Sequence, residues 1–231
     1  IMTLADAGQT AAAREAGQAW IKREPRNADA RLALSYVHVR LRQPYEALHQ
    51  ADQALAIAPG TPYVLREYID ALSRARMAEQ ALALARQHPD LYNAAQLRRF
   101  EADAVAQQVR LASMPTRSEA ERFVIADRAL ARYADLIPAW QALGEPAQAD
   151  VLRARIDRLH ALHARVRMAD LVAEYEALRA QGVAVPRYAL NDVASAYLYL
   201  RQPEKARDLY REVAADDAWR QDDPEDRLST E

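Results

Sequence analysis

Apolar residues between Ala28 and Ile57 recur at the spacing of a helical face. Leu32, Leu34, Tyr36, Val37, Val39 and Leu41 predict one helix, and Ala47, Leu48, Ala51, Ala54, Leu55 and Ile57 predict a second. Between them, Arg42-Gln43-Pro44 predicts a tight turn, and Pro59 ends the second helix. The pattern is an antiparallel helical hairpin. Ser35, Ala47 and Ala54 are small where the two helices must approach closely.

The pattern repeats. Ala13, Ala47 and Ala81 are 34 residues apart, as are Pro25 and Pro59, and Leu48 and Leu82. A helix–turn–helix unit of about 34 residues is the tetratricopeptide (TPR) period. A second clear copy spans Pro186–Asp216, with Ala194 and Ala206 small and Tyr197 and Tyr210 aromatic. The tetrapeptide Leu-Arg-Gln-Pro recurs at Leu41–Pro44 and Leu200–Pro203, and Leu143–Pro146 is a looser third version. Pro62–Pro89 predicts a further hairpin with a short second helix. Leu91–Ser113 predicts one long helix, Met114–Arg117 a turn, and Ser118–Asp135 its partner, opened by a Ser118/Glu121 capping box. Pro146–Val166 and Met168–Gln181 form another pair, closed by Gly182.

The expected fold is therefore all-α: a TPR-like superhelix of helical hairpins, an α-solenoid. It takes in residues 1–215 with about 5–6 hairpins, and residues 216–231 form an acidic tail or linker. Gly8 falls at the turn of the first hairpin, which is expected to be truncated.

Composition narrows the partners. The 31 basic and 33 acidic residues nearly cancel, so nucleic acid, which demands a basic face, is not expected. No apolar run reaches the ~20 residues of a membrane helix. There are no cysteines, which removes thiolate metal sites and thiol nucleophiles. Phosphate-loop, nucleophile-elbow and zinc-protease motifs are missing. No catalytic residue or cofactor is nominated, and the chain reads as a scaffold, not an enzyme. Asp157, His160 and His163 have metal-like spacing on one helix. They are read as a polar face beside a leucine stripe, because two histidines and one carboxylate make a thin ligand set.

In a TPR array the first helix of each hairpin lines the concave groove. Threading the repeat places Asp29, Tyr36 and Arg40 there, then Tyr63, Arg66, Asp70 and Arg74, and finally Tyr188, Asn191 and Tyr199. Each tyrosine has a second reading as packing between repeats. Together these residues offer flat aromatic faces, hydrogen-bond donors and both signs of charge, a surface suited to peptides or carbohydrate polymers.

The segment Ala189–Tyr210 (ALNDVASAYLYLRQPEKARDLY), with Arg132–Pro138 and the upstream repeats, resembles the TPR region of PgaA-type exopolysaccharide export porins. That resemblance implies a periplasmic location within an outer-membrane protein, with no membrane contact by these repeats themselves. It implies a scaffold that docks a periplasmic polysaccharide deacetylase and engages partly deacetylated poly-N-acetylglucosamine. Asp29, Asp70 and Asp192 would then offset the free amines of the polymer. The alternative is a general TPR adaptor holding a protein or peptide segment. Leu32 and Tyr36 in the groove weaken a version that reads a terminal carboxylate there.

Overall fold

The structure, a computed structural model, describes residues 1–217. The described residues form twelve α-helices joined by short loops, and none is long and apolar enough to cross a membrane. The chain divides into two compact units, one of residues 1–107 and one from residue 108 onward.

The first unit holds α1 (Met2–Asp6), α2 (Thr10–Arg23), α3 (Ala28–Arg40), α4 (Pro44–Ile57), α5 (Pro62–Arg74), α6 (Ala78–Gln87) and the first part of α7 (Ala94–Ala112). Here α3 packs on α2, α4 and α5, and α1 reaches α3, so first helices meet first helices as in a stacked array. The second unit continues with α8 (Glu119–Gln141), α9 (Gln148–Ala164), α10 (Met168–Ala180), α11 (Arg187–Tyr199) and α12 (Pro203–Asp217). There α9 packs on α8, α10 and α11, which repeats the same neighbour pattern. The expected all-α hairpin array is present. The acidic tail lies largely in residues 218–231, outside the described residues.

The turns explain why the hairpins are so alike. Gly8, Arg42, Arg76, Val166 and Arg201 all take left-handed backbone, with φ of 77°, 56°, 62°, 63° and 58°. After each, the next N–H bonds back to a carbonyl five residues earlier, as from Gln43 to His38 at 2.9 Å and from Gln202 to Tyr197 at 2.8 Å. This is the Schellman helix ending, which satisfies carbonyls that the last turn leaves open. Both copies of Leu-Arg-Gln-Pro adopt it, and the proline then starts the second helix, where it needs no N–H. The third version departs. Gly144 has φ 71° with ψ −147°, and a 3₁₀ turn over Glu145–Ala147 intervenes before α9.

Alanine sets the distance between helices. Ala47, Ala51 and Ala54 on α4 are fully buried, and Ser35 Oγ donates to the Ala47 carbonyl at 2.8 Å. Only a small side chain permits that reach from one helix to the backbone of the other. In α2, a Cβ on Gly17 would stand 3.2 Å from Leu34 Cδ1, so this crossing is as close as glycine allows. The core beside α5, α6 and α7 gathers Ile69, Leu72, Leu82, Tyr92 and Phe100 around Ala78, Ala81 and Ala85.

Two helix boundaries differ from expectation. Leu91 belongs to a 3₁₀ turn, and α7 starts at Ala94 behind a reciprocal cap: Gln96 N–H donates to Asn93 Oδ1 at 2.9 Å, and Asn93 N–H to Gln96 Oε1 at 3.0 Å. Helix α8, opened by the expected Ser118/Glu121 box, does not stop at Asp135 but runs to Gln141 with Pro138 inside it. Buried Ile137 and Trp140 hold that last turn against the core, which offsets the hydrogen bond the proline removes.

Two stability changes are expected. Ala47→Leu should destabilise by about 1–3 kcal/mol in urea unfolding, since overpacking a close helix contact forces backbone shifts. Val166 is 41% exposed and β-branched, so Val166→Gly should stabilise by about 1 kcal/mol in the same assay by relieving left-handed strain.

Candidate functional site

The nominated residues of the first unit occupy equivalent repeat positions. On α3, residues 29, 36 and 40 return to one side of the helix, as do residues 63, 66, 70 and 74 on α5. The structure joins several of them across hairpins. Tyr63 Oη donates to Asp29 Oδ1 at 2.6 Å, and Tyr36 Oη donates to Asp6. Arg40 Nε stands 3.7 Å from Asp6 Oδ1. Asp6 was not nominated from the sequence, although it sits one repeat upstream of Arg40.

The second unit repeats the device. Tyr188 Oη donates to Asp157 Oδ1 at 3.0 Å, with Arg153 Nε 3.8 Å from the other carboxylate oxygen. In all three pairs a phenol on one first helix reaches back to a carboxylate on the preceding one. Each phenol holds its proton more tightly than usual. For Tyr36 and Tyr63 the carboxylate hydrogen bond is the main cause, and for Tyr188 burial comes first, taking the hydroxyl up to about 12. The hydroxyls therefore remain donors near neutral pH. The rings stay outward: Tyr63 is 52% and Tyr188 56% exposed. Asn191 is exposed, and Tyr199, at 64%, ends α11.

Asp70 differs from Asp29. It is half-buried, and desolvation raises its carboxyl above the ordinary value of 3.8, against the pull of Arg74, Arg66 and Arg99. The Arg66 guanidinium lies 5.6 Å from the centre of the Tyr92 ring. This carboxylate sits among cations, which weakens it as a counter-charge for an amine.

The polar cluster on α9 resolves differently from its spacing. Asp157 serves Tyr188, while His160 and His163 both turn Nδ1 toward Asp192 of α11, at 2.5 and 3.5 Å. Asp192 is 9% exposed and is engaged by these histidines, so it does not supply groove charge. No group of three or more histidine and acidic side chains suited to a metal occurs among the described residues. His160 Nε2 meets Ser113 Oγ at 2.9 Å, and Ser113 donates its own proton to the Val109 carbonyl at 3.1 Å. A serine, histidine and aspartate in line suggests a nucleophile and its base. Ser113, however, follows the C-terminal end of α7, where carbonyl dipoles oppose an oxyanion. The line is a staple: His160, when protonated, donates to Asp192 on one side and Ser113 on the other.

No family model matches the chain. It is 35% identical over 213 residues to the poly-β-1,6-N-acetyl-D-glucosamine export proteins of Escherichia coli K12 and Escherichia coli O157:H7. The similarity is to one segment of that export protein. It takes in 92% of this chain and 25% of the relative's length, so the chain spans a quarter of the curated relatives it matches. The resemblance first seen at Ala189–Tyr210 thus extends along nearly the whole chain. Among solved structures, YrrB, a TPR protein with an unusual peptide-binding site, aligns with a TM-score of 0.45 at 14% identity, over 85% of this chain and 90% of its own.

The staple carries a pH dependence. Asp192 raises the His160 pKa above the ordinary 6.5, through its hydrogen bond first and its charge second, and Asp157 adds to this while burial opposes it. Because the folded-state value is the higher one, the stabilisation is complete below pH 6.5 and is lost as pH rises through the folded pKa. Imidazole proton shifts should place the His160 titration above 6.5. His160→Gln should flatten the fall in melting temperature over that range, and an unchanged slope would remove the staple.

Proposed function

We propose that this chain is a non-catalytic scaffold in poly-N-acetylglucosamine export, that it acts in the periplasm, and that its tyrosine-bearing first helices contact the polymer. The observation that carries the reading is the repeated pair of phenol and carboxylate: Tyr63 with Asp29 and Tyr188 with Asp157, their rings exposed, and Tyr36 with Asp6, its ring half-buried against the core. It is supported by 35% identity to an export protein of that polymer.

The chemistry fits an amino sugar. A tyrosine face covers the apolar face of a pyranose ring. The adjacent carboxylate receives a free ammonium where the polymer is deacetylated, most readily at exposed Asp29, since Arg40 and Arg153 also face Asp6 and Asp157. An ammonium over an exposed ring contributes about 0.5–1 kcal/mol, so each contact is weak. Weak contacts repeated along an array let a chain advance without being trapped. The deacetylase that exposes those amines is the proposed protein partner. It would be held more tightly, since a stable protein interface buries about 1,200–2,000 Å². The other reading, a general TPR adaptor for a peptide, needs neither sugar nor deacetylase.

Partly deacetylated glucosamine oligomers should shift the backbone amides around Tyr63 and Tyr188, with affinity in the millimolar range, and fully acetylated oligomers should shift them less. Tyr63→Ala and Asp29→Asn should each weaken the response about two- to fivefold. Equal responses to both oligomers would remove the charge argument. A purified deacetylase should bind the folded chain in a separate calorimetric titration. Failure of both titrations would leave the general adaptor.

A further inference from the structure

A cavity of about 200 Å³ opens in the first unit between α5 and α7. Its floor is aromatic: the Tyr92 and Phe100 rings meet edge to face, 5.0 Å between centres at 84°. One wall carries Asp70, Ser73 and Arg74 from α5, and the other carries Gln96, Arg99 and Asp103 from α7. The spacings within each set put the side chains on one helix face.

The lining carries two arginines and two aspartates. Arg74 and Arg99 form no salt bridge among the described residues, and both are exposed. Arg66, outside the lining, lies over the Tyr92 ring. Against them stand Asp70 and Asp103, and Asp103 already accepts from Ser73 Oγ at 3.4 Å. A cationic ligand is disfavoured because Arg66 already takes the ring face and Arg74 and Arg99 would repel it. A carboxylate suits two guanidinium groups, whose forked donors match its two oxygens. Size limits what carries that carboxylate. Small-molecule sites occupy roughly 300–1,000 Å³, and this cavity is smaller, which suits one side chain rather than a whole metabolite.

We infer that the cavity between α5 and α7 binds an acidic side chain, a glutamate or aspartate presented by a segment of a partner protein, held between Arg74 and Arg99 over the Tyr92–Phe100 floor. The site stands on the cavity and its charges and does not depend on polysaccharide binding at the tyrosine pairs.

The test uses the intact chain, ¹⁵N-labelled, and a capped peptide of two glutamates flanked by glycines. The control is the same peptide with glutamines, and succinate represents a free acid. Saturable shifts at the amides of Ser73, Arg74, Gln96 and Arg99 are expected with the glutamate peptide and not with the glutamine peptide. Arg74→Ala and Arg99→Ala, both at exposed positions, should each weaken binding about tenfold with the helical spectrum unchanged. Asp70→Asn should tighten binding, because it removes one of the two anions lining the cavity, an effect a merely structural role for Asp70 would not produce. The inference is overturned by equal shifts from the glutamine peptide, by full binding in the Arg74→Ala/Arg99→Ala double variant, or by no response at these amides. Saturation by succinate without the peptide would assign the cavity to a free acid and overturn the side-chain reading.

Discussion

Two helices joined by a three-residue turn pack only as closely as their smallest facing side chains permit. That constraint organises both units of this chain. Where Ser35 meets Ala47, one helix donates a side-chain hydrogen bond to the backbone of the next, and a longer residue at either place would part them. Once the helices are that close, the turn has almost no freedom. It closes through a left-handed residue and a Schellman bond, whether that residue is the glycine at position 8 or the arginine at position 42. A uniform hairpin then fixes where the exposed side of each first helix points, and so the placement of Tyr36 and Tyr63 against the carboxylates before them.

The repeat was legible because its cause is local and periodic. Alanines spaced by one repeat marked the close contacts, and the duplicated Leu-Arg-Gln-Pro marked two turns of one conformation. Departures arose where local signals competed with packing. Pro138 reads as a stop, yet buried Trp140 keeps the helix going beyond it. Asn93 and Gln96 are an unremarkable polar pair in sequence and a reciprocal cap in space. At Leu143–Pro146 the similarity to the other turns was compositional, and the backbone there follows a different path.

The candidate face was less legible than the fold. Phase identified which residues share a helix side, which is how Tyr63, Tyr188 and Arg40 were nominated. Phase says nothing of how charges divide among partners. Asp29 and Asp70 both lie on first helices of the array, yet one accepts from a phenol while the other lies half-buried among arginines. The histidines of α9 likewise kept their helical spacing but turned to Asp192, a residue on another helix that no local pattern pairs with them.

The phenol–carboxylate bonds have a mechanical meaning. Asp6 with Tyr36, and Asp29 with Tyr63, each tie one hairpin to its successor within the first unit. The alanine contacts inside a hairpin are short-range and stiff, whereas these links bridge neighbouring hairpins through a single long side chain at the exposed surface. Each is a single hydrogen bond, a modest net gain beside the continuous packing inside a hairpin. Loss of one phenol would therefore loosen one junction between hairpins and leave the hairpins on either side intact.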